Sequence, residues 1–311
     1  MTSTPTTLHE RRPDWLVGVV LRGTLRFGEP MARHCTWRAG GVAERFYEPA
    51  DLDDLMAYLH AAPDREPLTW VGLGSNLLVR DGGLAGTVIS TSGGLVGLEW
   101  LDAHRLRVGA GAACAKVARL AAQRGLGGGE FLAGIPGSVG GALAMNAGAF
   151  GGEIWSLVEV VETLDRRGRL QIRDAASFQV GYRSVGLGAD EWFVASTLRL
   201  VADEEAARKV RALVARRNET QPLGLPSCGS TFKNPPGDFA GRLIEAAGLK
   251  GARVGGAYVS PKHANFIIND GAASAADIEG LMEHVRATVL ERCGVALESE
   301  VRVLGRAGGQ R

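Results

Sequence analysis

Between residues 134 and 148 the sequence reads Gly-Ile-Pro-Gly-Ser-Val-Gly-Gly-Ala-Leu-Ala-Met-Asn-Ala-Gly, with five glycines and no charged side chain. An ordinary helix or strand interior disfavours this composition, because glycine there costs about 0.5–1 kcal/mol relative to alanine. What glycine offers is positive φ and a backbone that can approach another group closely. An uncharged run of N–H donors, with Ser138 and Asn146 adding side-chain groups, suits a pyrophosphate and a flat heterocycle, since neutral donors can bond both. The whole chain carries 44 glycines in 311 residues, well above the usual share of about 7%. They are clustered, which points to a large cofactor held by main chain.

Two further segments share that character. Val71-Gly72-Leu73-Gly74-Ser75-Asn76-Leu77-Leu78 follows an apolar run that reads as a strand. Gly72 and Gly74 can bring N–H groups to a phosphate, and Ser75 and Asn76 add donors. Leu77 stands where a dinucleotide fingerprint has its third glycine, and the next residues read as another strand. A Rossmann site is therefore disfavoured. Nearer the start, Thr36-Trp37-Arg38-Ala39-Gly40-Gly41 joins a hydroxyl and a cation to a glycine pair.

Length suits two or three domains, and 45% hydrophobic with 22% charged residues is ordinary for a globular chain. A formal net charge of +1 argues against nucleic acid or an acidic membrane surface as the main partner. No apolar run approaches the ~20 residues of a membrane helix, and the first twenty residues do not read as a signal peptide. The first dozen residues read as a loose tail or an overcalled start. Cys35, Cys114, Cys228 and Cys293 are scattered, which fits a reducing cytosol better than a disulfide framework and offers no recognisable zinc site. Only five residues are lysine, among them Lys233 and Lys262.

Periodicity predicts a helix over 50–62 with Asp51 as N-cap and Pro63 as stop. Short strands follow in Leu68–Leu73, Leu77–Arg80 and Gly86–Ser90, then a strand in His104–Gly111 leading to an alanine-rich helix over 113–124 that Gly125 ends. Strands at 157–164 and 192–200 come with a hairpin turn near 166–168. A charged helix over 202–218, a second over 238–248, a strand over 265–269, a long helix over 274–293 and a final strand over 295–304 complete the chain. The pattern is α+β, with a boundary near 200–204.

Taken together, the three glycine-bearing segments resemble the flavin-binding half of the UDP-N-acetylenolpyruvoylglucosamine reductase family, whose FAD-binding fold is shared with vanillyl-alcohol oxidase. The resemblance continues through Gly181-Tyr182-Arg183-Ser184, Cys228-Gly229-Ser230-Thr231-Phe232-Lys233-Asn234-Pro235 and Leu297-Glu298-Ser299-Glu300-Val301-Arg302. It runs from about residue 25 to residue 305, with all six segments in order. It implies an N-terminal extension (1–24), an FAD-binding domain of the vanillyl-alcohol oxidase type over 25–203, built of two α+β subdomains split near residue 90, and a smaller α+β substrate-binding domain over 204–311.

The resemblance also implies a two-step reaction with non-covalent FAD as cofactor and NADPH as electron donor. Hydride reaches the terminal carbon of the enolpyruvyl ether of UDP-N-acetylglucosamine, and a proton then completes UDP-N-acetylmuramate. The chain would be a cytoplasmic, monomeric enzyme of peptidoglycan precursor synthesis, with roles in cell shape and cell division. Arg183 matches the position that steadies the developing enolate, Ser230 the proton donor and Glu300 a second acid group, expected to have a raised pKa from burial near like charge. Glu298, two residues away on the same strand face, competes with Glu300. Thr36, Arg38, Gly72, Gly74, Ser75, Asn76, Leu77, Gly134, Ile135, Pro136, Gly137, Ser138, Gly140, Gly141, Asn146 and Gly148 are the expected cofactor-binding residues. Asn234 and His263 are carried over as substrate-binding. Tyr182 (from the Tyr-Arg segment), Arg217, Tyr258 and Lys262 join them on chemistry and position. The 47 residues from Arg183 to Ser230 match the shorter form of the family, without the tyrosine-bearing lid of the longer form. An FAD-dependent oxidase of the same fold acting on a sugar or hydroxy acid is the nearest alternative. A non-redox UDP-sugar binding protein is another.

Overall fold

Asp51 stands before the apolar stripe Leu52, Leu55, Met56 and Leu59, and in the computed structural model its carboxylate accepts the Asp54 N–H at 3.0 Å. That cap opens α1 (Leu52–Ala61), as the residue type favours. The structure describes residues 12–309. The first eleven residues of the expected tail lie outside the described residues. From Asp14 the extension is docked: Leu16 is fully buried with Tyr47, Leu55 and Tyr58, and Trp15 meets the Tyr58 ring edge-on.

Three sheets of three or more strands follow along the chain, among the described residues. The first orders its strands Thr24–Pro30, Val42–Glu48, Leu84–Ser90, Leu68–Val71; the first pair is antiparallel and the other two are parallel. The second is antiparallel throughout, in the order Leu170–Asp174, Val158–Asp165, Glu191–Arg199, Arg105–Gly109, Leu98–Trp100. Its first hairpin turns at Gly168, φ +70°, where the Arg-Arg-Gly run predicted it. Helix α2 (Cys114–Gln123) buries Val117, Ala118, Ala121 and Ala122, and it packs with the turn Glu130–Gly134 and with α4 (Ala206–Thr220). Between them in sequence lies the six-residue α3 (Val139–Ala144).

The third sheet (Arg253–Val254, Ala257–Val259, Ile267–Asn269) carries α5 (Ala240–Ala246) and α6 (Ala275–Cys293). Their shared core includes Leu243, Ile244, Ile278, Leu281 and Val285, and also Trp37, Ala39 and Leu78 from the other end of the chain. Trp37 is fully buried and donates Nε1–H to the Ile267 carbonyl at 2.8 Å, while Asn269 Nδ2 donates to the Trp37 carbonyl at 2.8 Å. Arg302–Leu304 then runs parallel to Leu77–Val79. The final strand is thus shorter than the 295–304 expected; upstream of it the chain makes only an isolated bridge, Ser299 with Phe232.

Candidate active site

The three glycine-bearing segments converge on one cavity of about 710 Å³, whose lining includes Thr36, Arg38, Ser75, Pro136, Arg217 and Cys228. The first two meet backbone to backbone. Thr36 N–H bonds the Gly74 carbonyl at 3.1 Å, and its hydroxyl reaches the same oxygen at 3.4 Å. Gly74 stands at φ +62°, and a Cβ there would lie 1.9 Å from the His34 carbonyl oxygen; one on Gly72 would lie 2.1 Å from Ser138 Oγ. Side chains at these two positions would push the segments apart. Gly137 faces Ser75 in the same way, its would-be Cβ 3.1 Å from Ser75 Oγ.

This cradle fits FAD: neutral donors on close backbone, an apolar wall at Pro136 and Phe266, and Arg38 and Arg217 on the lining. Arg217 bonds only Gln221 Oε1, at 3.0 Å, and has no carboxylate partner among the described residues. Burial lowers its pKa. Arg217, expected at the substrate, shares this cavity lining with Thr36, Ser75 and Pro136.

Several expected cofactor residues shape the cradle and do not line it. Ser138 is 1% exposed and caps α3 through Gly141 N–H at 3.4 Å. Gly140 donates to the Ala110 carbonyl at 2.7 Å with no room for a side chain. Ile135 is buried, Gly134 lies against the Phe150 ring, and Leu77 begins a buried strand. Asn76 points its Nδ2 at the Glu300 carbonyl, 3.0 Å away, tying the second segment to the chain's C-terminal part. Asn146 and Gly148 turn their carbonyls toward Arg183.

Arg183 is the hub of the second half of the site. Its Nε donates to Glu300 Oε1 at 3.2 Å, Nη1 to the Asn146 carbonyl at 3.3 Å and Nη2 to the Gly148 carbonyl at 3.1 Å. The Arg183 and Glu300 side chains are 15% and 14% exposed. The Glu300 pKa is raised by burial, against the pull of Arg183 and Lys233. Burial was expected to raise it; a neighbouring like charge was not found as a cause. Glu298, its competitor, is 76% exposed and pairs with Lys233 at 3.3 Å. Depth, and not face, separates the two.

Ser230 follows Gly229, which stands at φ +78° and lines the cavity. The next residue, Thr231, accepts the Glu300 N–H at 2.9 Å and donates its own N–H to the Asn265 carbonyl at 2.8 Å. Ser230 and Glu300 are therefore carried by paired backbone segments. Tyr182 is half exposed, with the Arg183 guanidinium 5.1 Å from its ring centre. Tyr258 and Lys262 line a neighbouring cavity of about 410 Å³ that shares Pro222, Leu223 and Leu225 with the first. Lys262 Nζ bonds the Asn218 carbonyl at 2.6 Å. Asn234 and His263 are not on either lining. Asn234 Oδ1 accepts the Ala240 N–H at the start of α5, at 3.1 Å. His263 accepts the Asn265 N–H at 3.3 Å and packs edge-on to Phe266, and burial lowers its pKa. Sequence reasoning gave no role to Cys35 and Cys228, buried thiols on the cavity lining, although Cys228 opens the Cys-Gly-Ser-Thr-Phe-Lys segment.

Cradle and carboxylate-backed cation together define an FAD-binding oxidoreductase site. Residues 43–172 match the FAD binding domain family, and residues 221–304 match the C-terminal domain of UDP-N-acetylenolpyruvoylglucosamine reductase. The chain is 58% identical over 287 residues to a UDP-N-acetylenolpyruvoylglucosamine reductase of Alkalilimnicola ehrlichii, covering 92% of this chain and 96% of the relative. It is 58% identical over 288 residues to one of Methylococcus capsulatus, covering 92% and 95%. The crystal structure of the Thermus caldophilus reductase superimposes with a TM-score of 0.78 at 34% identity, over 91% of this chain and 99% of that one. The chain belongs to the UDP-N-acetylenolpyruvoylglucosamine reductase family.

Proposed function

We propose that Arg183, Glu300 and Ser230 form the reducing centre of this enzyme, an NADPH-dependent, FAD-containing reductase of UDP-N-acetylglucosamine enolpyruvate in peptidoglycan precursor synthesis. The observation that carries this reading is the Arg183–Glu300 pair beside the Ser230 segment. FAD supplies the hydride when bound, having taken it from NADPH. Thr36, Arg38, Ser75, Pro136 and the loops shaped by Gly72, Gly74 and Gly137 would hold it.

Arginine has five N–H donors. Three are engaged by Glu300, Asn146 and Gly148, which leaves one N–H on each terminal nitrogen. That free pair fits the substrate carboxylate in two bonds. As hydride arrives at the terminal carbon, charge spreads from the adjacent carbon into the carboxylate. A cation already fixed by three bonds stabilises it without reorganising. Ser230 gives its hydroxyl proton to that adjacent carbon, which completes the lactyl ether. Glu300 in its protonated form, favoured by burial, can donate to a developing enolate oxygen; ionised, it holds Arg183.

Residues 25–203 form the cofactor domain in this reading, divided near residue 90, and 204–311 the substrate domain. The break between Ser90 and Leu98, where the first sheet ends and the second begins, supports the division. Tyr258 and Lys262 would meet the nucleotide end of the substrate, since their cavity adjoins the cofactor's. The enzyme would work as a monomer in this reading. It would work in the cytoplasm, where both nucleotide reactants are found, and so serve cell shape and division. Among the described residues no helix is long and apolar enough to cross a membrane.

Anaerobic stopped-flow absorbance at the oxidised-flavin band tests the activity. NADPH should bleach the band, and the enolpyruvyl ether should restore it. Bleaching without recovery on the ether would sink the substrate assignment.

A further inference from the structure

Arg183 occupies the corner between two short paired strands, Val180–Gly181 and Ser184–Val185, at φ +52°. Such a backbone is strained for a non-glycine residue and persists only where its surroundings hold it. Asn146 holds it twice. Its carbonyl accepts from Arg183 Nη1, and its Nδ2 donates to the carbonyl of Gly181 at 3.1 Å, two residues before Arg183. The same Nδ2 donates to Glu153 Oε2 at 2.8 Å. Asn146 is 1% exposed and is itself at φ +44°. Gly152–Glu153 pairs with Gly148–Ala149, so the carboxylate and the Gly148 carbonyl under Arg183 belong to one small ribbon, which begins two residues after Asn146. A Cβ on Gly148 would lie 3.0 Å from Glu153 Cγ and 3.3 Å from Arg183 Nη1. Only a bare backbone fits between the carboxylate arm and the guanidinium.

We propose that Glu153, acting through Asn146, is a positioning residue for Arg183. A carboxylate accepts and cannot donate, so together with the Gly181 carbonyl it holds the NH2 end of the Asn146 amide, while Oδ1 accepts the Trp155 N–H at 3.5 Å; of the three bonds, that to Glu153 is the shortest. With Glu153 in place the NH2 must face it and, with it, the Gly181 carbonyl. Without that acceptor the amide keeps only its two longer bonds, to the Gly181 carbonyl and from the Trp155 N–H, and can swing away from Gly181. The corner then loosens and the two free N–H groups of Arg183 lose their aim. This rests on the reading of Arg183 as the group that grips the substrate carboxylate.

The test uses the FAD-loaded enzyme and measures its two half-reactions separately under anaerobic conditions. For Glu153→Ala, reduction by NADPH should stay within about twofold of wild type, while reoxidation by the enolpyruvyl ether should slow by about 10²-fold, the usual scale for a misplaced catalytic group. Glu153→Gln keeps an acceptor oxygen and should recover most of the lost rate. Should Glu153→Ala fail to fold, Glu153→Asp, whose carboxylate stops one methylene short of Asn146, should show the same split in smaller measure. Wild-type reoxidation in Glu153→Ala, equal slowing in Glu153→Gln, or equal loss in both half-reactions would overturn the proposal. Arg183→Gln separates the two levels of failure: if it too reoxidises at the wild-type rate, the reading of Arg183 fails, and if it alone stalls, only the role of Glu153 does.

Discussion

Arg183 Nε lies 3.2 Å from Glu300 Oε1, a contact that joins residues 117 apart in sequence and is nearly closed to solvent. Burial outweighs Arg183 at Glu300, so its pKa is raised above the ordinary 4.5. A carboxyl with a raised folded-state pKa contributes stability that is fully present below the unfolded value and lost as pH rises through the folded one. Glu300→Gln carries no such titration. Its melting temperature should therefore gain on wild type as pH rises from below 4.5 toward neutrality, then hold a constant difference. Thermal melts at several pH values check this, and a difference that shrinks with rising pH would contradict it.

Ser230→Ala should leave flavin reduction by NADPH intact. Reoxidation by the substrate should slow by about 10²–10⁴-fold, the range for removing a placed proton donor. The backbone bonds of Thr231 to Glu300 and Asn265 do not depend on the Ser230 side chain, so the fold should be spared. Single-turnover traces read both steps in one experiment. A full-speed second step would take the donor role away from Ser230.

Gly74→Ala tests the cradle without touching the chemistry. The new methyl would meet the His34 carbonyl carbon and oxygen, which are backbone, and φ +62° adds strain. The strain alone is worth about 1–3 kcal/mol, and the clash must also move the Thr36 segment. The purified variant should hold markedly less flavin, read from the ratio of visible to protein absorbance, and should melt lower even as apoprotein. Gly137→Ala, facing only the Ser75 hydroxyl at 3.1 Å, should lose less flavin than Gly74→Ala. The reverse order would mean that the cofactor does not lie where these segments meet.

Local chemistry made much of this fold legible. Asp51, Gly125 and Gly168 mark a helix start, a helix end and a hairpin turn, because each residue type favours the backbone it occupies. Glu298 and Glu300 show where local reading stops. Alternation puts them on one face, but only the position of Arg183 and the depth of the site separate them. Trp37 shows the same limit more sharply. Nothing near it in sequence announces that its indole bonds a carbonyl 230 residues away. Asn146 was legible as important and not as what it does, since its side-chain partners, Glu153, Gly181 and Trp155, depend on separate turns closing together.

Asp81 offers a last test, of what holds the C-terminal part in place. Its two carboxylate oxygens accept the N–H groups of Ala275 and Ala276 at 3.0 and 2.9 Å, at the start of α6. Next to it, Arg80 and Glu279 make an ion pair at 2.7 Å, but the two side chains are 39% and 37% exposed. An exposed pair is worth about 0–1 kcal/mol, while losing a helix cap costs about 0.5–2 kcal/mol. Ala275 is fully buried and Ala276 exposed, so of the two freed N–H groups only that of Ala275 would be left away from water. Asp81→Ala should therefore destabilise the protein more than Glu279→Gln, by about 1 kcal/mol, in urea unfolding. Salt should weaken the effect of Glu279→Gln more than that of Asp81→Ala, because a solvent-exposed ion pair is screened. If Glu279→Gln proves the costlier change, the ion pair and not the cap fixes α6 against the Arg80–Asp81 turn.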